Sequence, residues 1–270
     1  MGIVNVTPDS FSDGGIFFSH AAAVARAKKL IEDGADIIDI GGESTRPFSD
    51  PVPPAEEVRR VIPVIEKLAA NGSVPISIDT MKAEVARRAI EAGASIINDI
   101  SALRFDPQMA AVAREFEVPV VLMHMLGNPK TMQLAPAYDN LIGEITAFLR
   151  DAIERAEAQG ISRSKLIVDP GIGFGKTVAH NLLLIKHLQS FAPLRVPILV
   201  GPSRKAFIRK LLKDEQREDL PPNLPIVETG TQAAVAAAVL FGAHIVRVHD
   251  VANAAATVRI LDAIKNVPDN

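Results

Sequence analysis

VPISIDTMKAEVARRAIEAGASIINDI, residues 74–100, decides the architecture. Its first run, VPISID, is apolar and β-branched and ends on Asp79, the composition of a buried strand. Residues 81–92 then place Ala, Val and Ile at helical spacing, and Gly93 follows where a helix closed by a left-handed residue needs glycine. A second apolar run, ASIIND from Ala94, starts immediately afterwards. Strand, helix and strand in that order form a βαβ unit. Its two strands are parallel, because the helix carries the chain back to the same end of the sheet.

The unit recurs in both directions. Further strand-like runs are GIVNV from Gly2, ADIIDI from Ala35, VPVVLMH from Val118, KLIVD from Lys165, VPILVG from Val196 and HIVRVH from His244. Helical periodicity covers 19–33, 54–71, 141–159, 180–191, 231–241 and 252–265, and Gly34, Gly160 and Gly242 stand before the next strand as Gly93 does. Successive apolar residues such as Ile37 and Ile38, or Val120 to Met123, mark strands buried on both faces. Eight alternations in 270 residues predict a single-domain (β/α)8 barrel over residues 1–270. An open doubly wound sheet would share the local pattern, but no Gly-rich dinucleotide fingerprint follows the first strand. The irregular stretches 7–18, 43–53 and 125–137 follow strands on the side where barrels place their chemistry, whereas 213–228 reads as a solvated connector between helices.

Composition narrows the class. The chain is 48% hydrophobic and 23% charged with net charge -3, an ordinary globular balance with no basic excess for nucleic acid. Cysteine is absent, which excludes disulfides, thiolate metal sites and thiol catalysis. The N-terminus MGIVNVTPDS has no basic and then apolar signal pattern, and no apolar run approaches the roughly 20 residues of a membrane span. A cytoplasmic protein without membrane or nucleic-acid partners is therefore expected.

Polar residues gather at strand ends, which in a barrel open into the catalytic mouth. They are Asn5, Asp39 with Glu43, Asp79, Asn98 with Asp99, His124, Asp169, Ser203 with Arg204 and Lys205, and Arg247 with His249 and Asp250. Asp79 and Asp169 follow apolar residues and need donors. A ligand with a guanidine-like donor edge would supply them, with Asn98 as a third partner. The competing reading is that either carboxylate caps a helix or anchors a loop. Asn5 offers a neutral oxygen suited to Mg2+, although asparagine is also a common turn former. Arg46, Arg204, Lys205, Arg247 and His249 converge as an anion site, and Ser203 at the start of a predicted helix adds a hydroxyl. DPGIGFGKT from Asp169 is not an ATP-binding loop, because only three residues separate Gly171 from Gly175. Phe174 in that segment reads either as an apolar wall or as loop packing. His124 and Tyr138 read as structural, and neither a zinc site nor a Ser-His-Asp triad can be assembled.

NVTPDSFSDGG from Asn5, DIGGESTRP from Asp39, SIDT from Ser77, INDIS from Ile97, MHMLGNPKTMQ from Met123, DPGIGFGKT from Asp169, SRKAFI from Ser203 and RVHDV from Arg247 resemble, in order and spacing, the motifs of the dihydropteroate synthase family. The resemblance spans essentially the whole chain. It implies a barrel enzyme, a transferase that joins 6-hydroxymethyl-7,8-dihydropterin diphosphate to p-aminobenzoate with Mg2+. It also implies pterin contacts from Asp79, Asn98, Asp169 and Lys205, and diphosphate contacts from Asn5, Thr45, Arg247 and His249, with Asn5 on the metal. Phe11, Arg46, Pro47, Phe174, Ser203 and Arg204 would border the p-aminobenzoate site, and Asp13, Asp79, Lys205 and Arg247 would take part in the reaction. A homodimer through the last helices is implied as well. Departures are Phe48, where the family usually has glycine, and the lack of a strand pair ahead of the first barrel strand, which leaves the barrel floor less plugged. The alternatives are a pterin-binding methyltransferase barrel and a pterin-binding paralogue without turnover.

Overall fold

The computed structural model describes residues 1–7, 15–44, 51–70, 72, 74–128, 131–214 and 219–268, with 15–19 described as backbone alone. Its strands are β1 (Gly2–Asn5), β2 (Ile38–Gly41), β3 (Ile76–Asp79), β4 (Ile96–Asp99), β5 (Val120–Met123), β6 (Leu166–Asp169), β7 (Leu199–Val200) and β8 (Ile245–Val246). The helices are α1 (Gly15–Glu32), α2 (Pro54–Ala69), α3 (Ala83–Glu91), α4 (Met109–Glu115), α5 (Leu141–Ala158), α6 (Val178–Lys186), α7 (Ala206–Leu212), α8 (Pro225–Leu240) and α9 (Val251–Asn266).

β1 to β6 form one parallel ladder in sequence order, and β7 pairs with β8. Single parallel bridges at Val168–Ile198 and Gly2–Val248 join these two sheets on both sides. Val168 N–H donates to Pro197 O at 2.9 Å, and Ile3 N–H donates to Val248 O at 3.0 Å. The ring therefore closes into the eight-stranded barrel, and the open sheet is excluded.

Strand alternation sorts the side chains. Outward residues such as Ile38, Ile40, Ile78, Ile97, Leu122 and Val168 join the main core beneath the helices. Inward residues Val121 and Leu199, with Ile37, Ile167 and Ile245, pack with Met1 as an apolar floor. Beside that floor lies a cavity of about 580 Å³ bordered by Met1, Asp36, Ile37, His244 and Arg259. Above the floor the inward positions turn polar. Ile3, Asp39 and Ser77 share one row of the register, and Asn5, Gly41, Asp79 and Asn98 share the next.

The four glycines that close helices all lie at positive φ, and at Gly93 (φ +116) an added Cβ would also sit 2.4 Å from Ala69 Cβ. Some helix ends differ from expectation. α8 begins at Pro225, inside the stretch read as connector, because proline is well tolerated in a first turn whose N–H groups have no intrahelical partner. α6 stops at Lys186, and the chain continues as a tighter 3-10 turn over Leu188–Leu194 that contains Pro193. α1 starts before residue 19, and α4 was not among the expected segments. No helix among the described residues is long and apolar enough to cross a membrane.

Candidate active site

Arg247 organises the mouth of the barrel. Its Nε donates to Asp39 Oδ2 at 2.6 Å and its Nη2 to Asp79 Oδ2 at 2.7 Å, so one planar guanidinium joins carboxylates from β2 and β3. Asn98 on β4 adds a third link, with Nδ2 donating to Asp39 Oδ2 at 3.1 Å. Burial pushes the Asp79 carboxyl up to about 7; Arg247 opposes that shift and Asp39 adds to it. Burial pulls the Arg247 guanidinium down, but Asp39 and Asp79 outweigh it and hold it above its ordinary value.

Asp169 and Lys205 form the opposite side. Asp169 Oδ1 accepts from Gly171 N–H at 2.6 Å, which folds the β6–α6 loop back over the strand end. Burial raises the Asp169 carboxyl, and Lys205 works against it. The Lys205 ammonium donates to Ile172 O and lies 4.6 Å from the Phe174 ring centroid. Burial lowers it to about 8, with Asp169 opposing. Alongside these charges, Ile100, Met123, Met125 and Met132 pack with Met81 and Phe174 into an apolar wall. Acceptors and a cation thus stand beside a soft apolar surface, which suits a flat heterocycle that hydrogen-bonds at its edge.

Other polar strand ends serve the scaffold. Asp99 accepts from the backbone N–H groups of Ser101 and Leu103, both at 2.8 Å, and holds a turn in which Ala102 and Leu103 are left-handed. His124 Nδ1 lies 2.9 Å from Lys176 Nζ, and burial pushes the imidazole down to about 2, so it is neutral. Tyr138 donates its hydroxyl to Gly175 O at 2.8 Å. Both match their structural reading. Glu43 accepts from Lys82 and, at 3.3 Å, from Val52 N–H.

The remaining expected site residues divide. Ser203 Oγ lies 2.9 Å from His249 Nδ1, which brings β7 and β8 loop residues together. α7, however, starts at Ala206 with Lys205 in the capping position, so Ser203 belongs to the turn ahead of the helix. Arg204, left-handed at φ 58, pairs through Nε with Glu228 on α8 at 3.2 Å rather than with the carboxylates of the mouth. Asn5 ends β1 in the same register row as Asp79 and Asn98. Phe11, Asp13, Thr45, Arg46, Pro47 and Phe48 lie outside the described residues.

A family profile described as pterin binding enzyme matches residues 1–249. The dihydropteroate synthase of Synechocystis sp. is 47% identical over 264 residues, which is 98% of this chain and 89% of that protein. The chain belongs to the dihydropteroate synthase family. Among members of the family, the Escherichia coli K12 enzyme is 46% identical across all of this chain and 93% of its own length. The Xanthomonas albilineans dihydropteroate synthase solved with 4-aminobenzoic acid superposes at a TM-score of 0.90 with 48% identity, covering 99% of this chain and 93% of that one. The same enzyme has been solved in complex with 7,8-dihydropteroate, at a TM-score of 0.87 and 46% identity, covering 99% of this chain and 94% of that one. The methyltransferase-type barrel is thereby set aside.

Sequence reasoning gave two features of this dihydropteroate synthase site no role. Asp39 stood among the polar strand ends, yet it sits within β2 rather than at its tip, and only the barrel shows it between Asn98 and Arg247. The methionine wall draws on residues from Met81 to Met132 that no local pattern joins.

Proposed function

We propose that this chain condenses 6-hydroxymethyl-7,8-dihydropterin diphosphate with p-aminobenzoate, using Asp79, Asn98, Asp169 and Lys205 to hold the pterin. The observation that carries this reading is the convergence of those groups and Arg247 on one mouth of the barrel. The C–O bond between the pterin methylene and diphosphate breaks, a C–N bond to the arylamine forms, and the amine gives up one proton. Asp79 and Asp169 accept from the ring's donor edge and favour positive charge on the pterin as diphosphate leaves. Arg247 and His249 face the departing anion, and Ser203 orients the His249 imidazole. The arylamine is neutral at pH 7, so positioning matters more than a strong base. The same set of groups in place argues against a paralogue without turnover.

Mg2+ fits this arrangement through Asn5, whose amide oxygen is a hard neutral ligand of the kind the ion takes in small number when phosphate oxygens and water supply the rest. When bound, the ion supplies charge neutralisation of the diphosphate. Formation of dihydropteroate from the two substrates, followed as diphosphate release with and without Mg2+, tests the whole reading: Mg2+-dependent turnover is expected, and a folded chain that binds no pterin would refute it. His249→Ala should weaken affinity for the diphosphate ester about tenfold while leaving dihydropteroate affinity within about threefold. Equal losses for the two ligands in calorimetry would contradict a diphosphate role.

The pH dependence has a defined sign. Asp79 accepts only when ionised and Lys205 donates fully only when protonated, so pterin affinity should peak between about 7 and about 8. It should fall roughly tenfold per pH unit on the acid side as Asp79 takes up a proton, and on the alkaline side as Lys205 loses one. Calorimetry extended about two pH units beyond either end of that window checks both limbs; Asp79→Asn should flatten the acid limb and Lys205→Met the alkaline one.

The homodimer implied by resemblance is part of this reading, as is the cytoplasmic location. An apolar groove of about 360 Å³ between α6, α7 and α8 supports the dimer, lined by Leu182, Phe207, Leu211 and Phe241 with Ala233, Ala234 and Ala237. Leu211 is 54% exposed and Leu182 43% exposed, more apolar surface than an isolated barrel needs. Sedimentation should give a dimer that Leu211→Glu converts to monomer; a monomeric unaltered chain would refute it.

A further inference from the structure

We propose that Asp39 is a positioning residue that fixes the Asn98 side-chain amide with its nitrogen downward and its oxygen toward the bound ring. It thereby sets the hydrogen-bonding polarity of the pocket. The inference deepens the pterin-binding reading and rests on it for its ligand.

Asp39 is fully buried, at 0% exposure. Its register partner on β3 is Ser77, whereas Asn98 is level with Asp79, one inward position nearer the mouth. Asp39 therefore lies a layer beneath Asn98. An asparagine amide is nearly symmetrical in shape, so its orientation is decided by its partners. A carboxylate only accepts, so the group that faces Asp39 Oδ2 at 3.1 Å has to be the Asn98 nitrogen. The same oxygen takes Arg247 Nε at 2.6 Å, and the guanidinium locks the carboxylate from the other side. With its nitrogen held below by Asp39, Asn98 presents a carbonyl above. A ring edge carrying an N–H then finds an acceptor, and an edge carrying a lone pair is refused. An asparagine at position 39 could donate as well as accept, which would free the Asn98 amide to turn over.

The test uses 6-hydroxymethylpterin, which lacks the diphosphate and so isolates the ring. Asp39→Asn should weaken its binding about tenfold in calorimetry, and in an Asn98→Ala background the same change should cost less than about threefold. A structural role for Asp39 would give additive losses in the two backgrounds, and additivity would overturn the proposal. Melting temperatures accompany each variant. Should Asp39→Asn not fold, the unaltered chain still decides. Its Asn98 side-chain amide protons, assigned by their loss in Asn98→Ala, should exchange with solvent about a hundredfold slower than those of free asparagine. Exchange at the free rate would overturn the assignment. That measurement needs no ligand, so failure of the unaltered chain to bind hydroxymethylpterin would strike the proposed function alone.

Discussion

Arg247→Ala is expected to destabilise the protein by about 3–5 kcal/mol and to remove turnover. The guanidinium lies between Asp39 and Asp79, and its removal leaves two carboxylates facing each other in a largely water-free layer. Truncating one member of a buried charged network costs the desolvation of what remains, which exceeds the worth of the bonds themselves. At roughly 2–4 °C per kcal/mol for a domain of this size, the melting temperature should drop by roughly 6–20 °C. The sign of the pH effect is fixed. Arg247 holds the Asp79 pKa down against burial, so without it the carboxyl rises above about 7. A raised carboxyl contributes stability below its unfolded-state pKa and loses it as pH rises through the folded-state value. The deficit relative to the unaltered protein should therefore shrink toward pH 5. Thermal melting at acid and neutral pH reads this directly, and a neutral-pH shift under about 2 °C would show that the carboxylates do not depend on Arg247.

Gly171→Ala is expected to weaken pterin binding more than about a hundredfold, or roughly 3 kcal/mol. A Cβ on Gly171 would lie 1.9 Å from His124 O, a backbone atom at the end of the barrel, and the residue sits at φ +73. Neither partner can yield as a flexible side chain would. The loop has to lift off β5, and it takes with it the N–H that Gly171 gives Asp169 and the Phe174 ring that Lys205 rests against. Gly34→Ala is the control, because Gly34 is also left-handed, at φ +98, but meets only Ala255 Cβ at 3.5 Å. It should cost about 1–2 kcal/mol of stability and leave ligand affinity unchanged. If both variants bind pterin equally in calorimetry, the β6–α6 loop does not shape the site.

Asp79, Asn98, Asp169, Lys205 and Arg247 could be read from the sequence because each ends an apolar run or follows it closely, and a closed barrel sends such ends to one place. What escaped depends on the third dimension. Ser203 follows Gly-Pro and looks like a helix start, yet the turn of α7 begins only after Lys205. Pro225 looks like a loop residue and opens a helix. Asp39 carries no local signal that separates it from Asp79, since the difference is the depth at which each strand places it.

The bridge between Gly2 and Val248 has a kinetic meaning. The first strand completes its pairing only with the last, and Met1 and Val246 meet across 245 residues of chain. During synthesis β1 emerges before the other strands of the barrel and keeps an unsatisfied edge until β8 has followed. Ring closure is then a late and slow event, governed by loop entropy rather than by local preference. A chain halted before β8 exposes an apolar strand edge, the geometry that recruits chaperones or seeds aggregation.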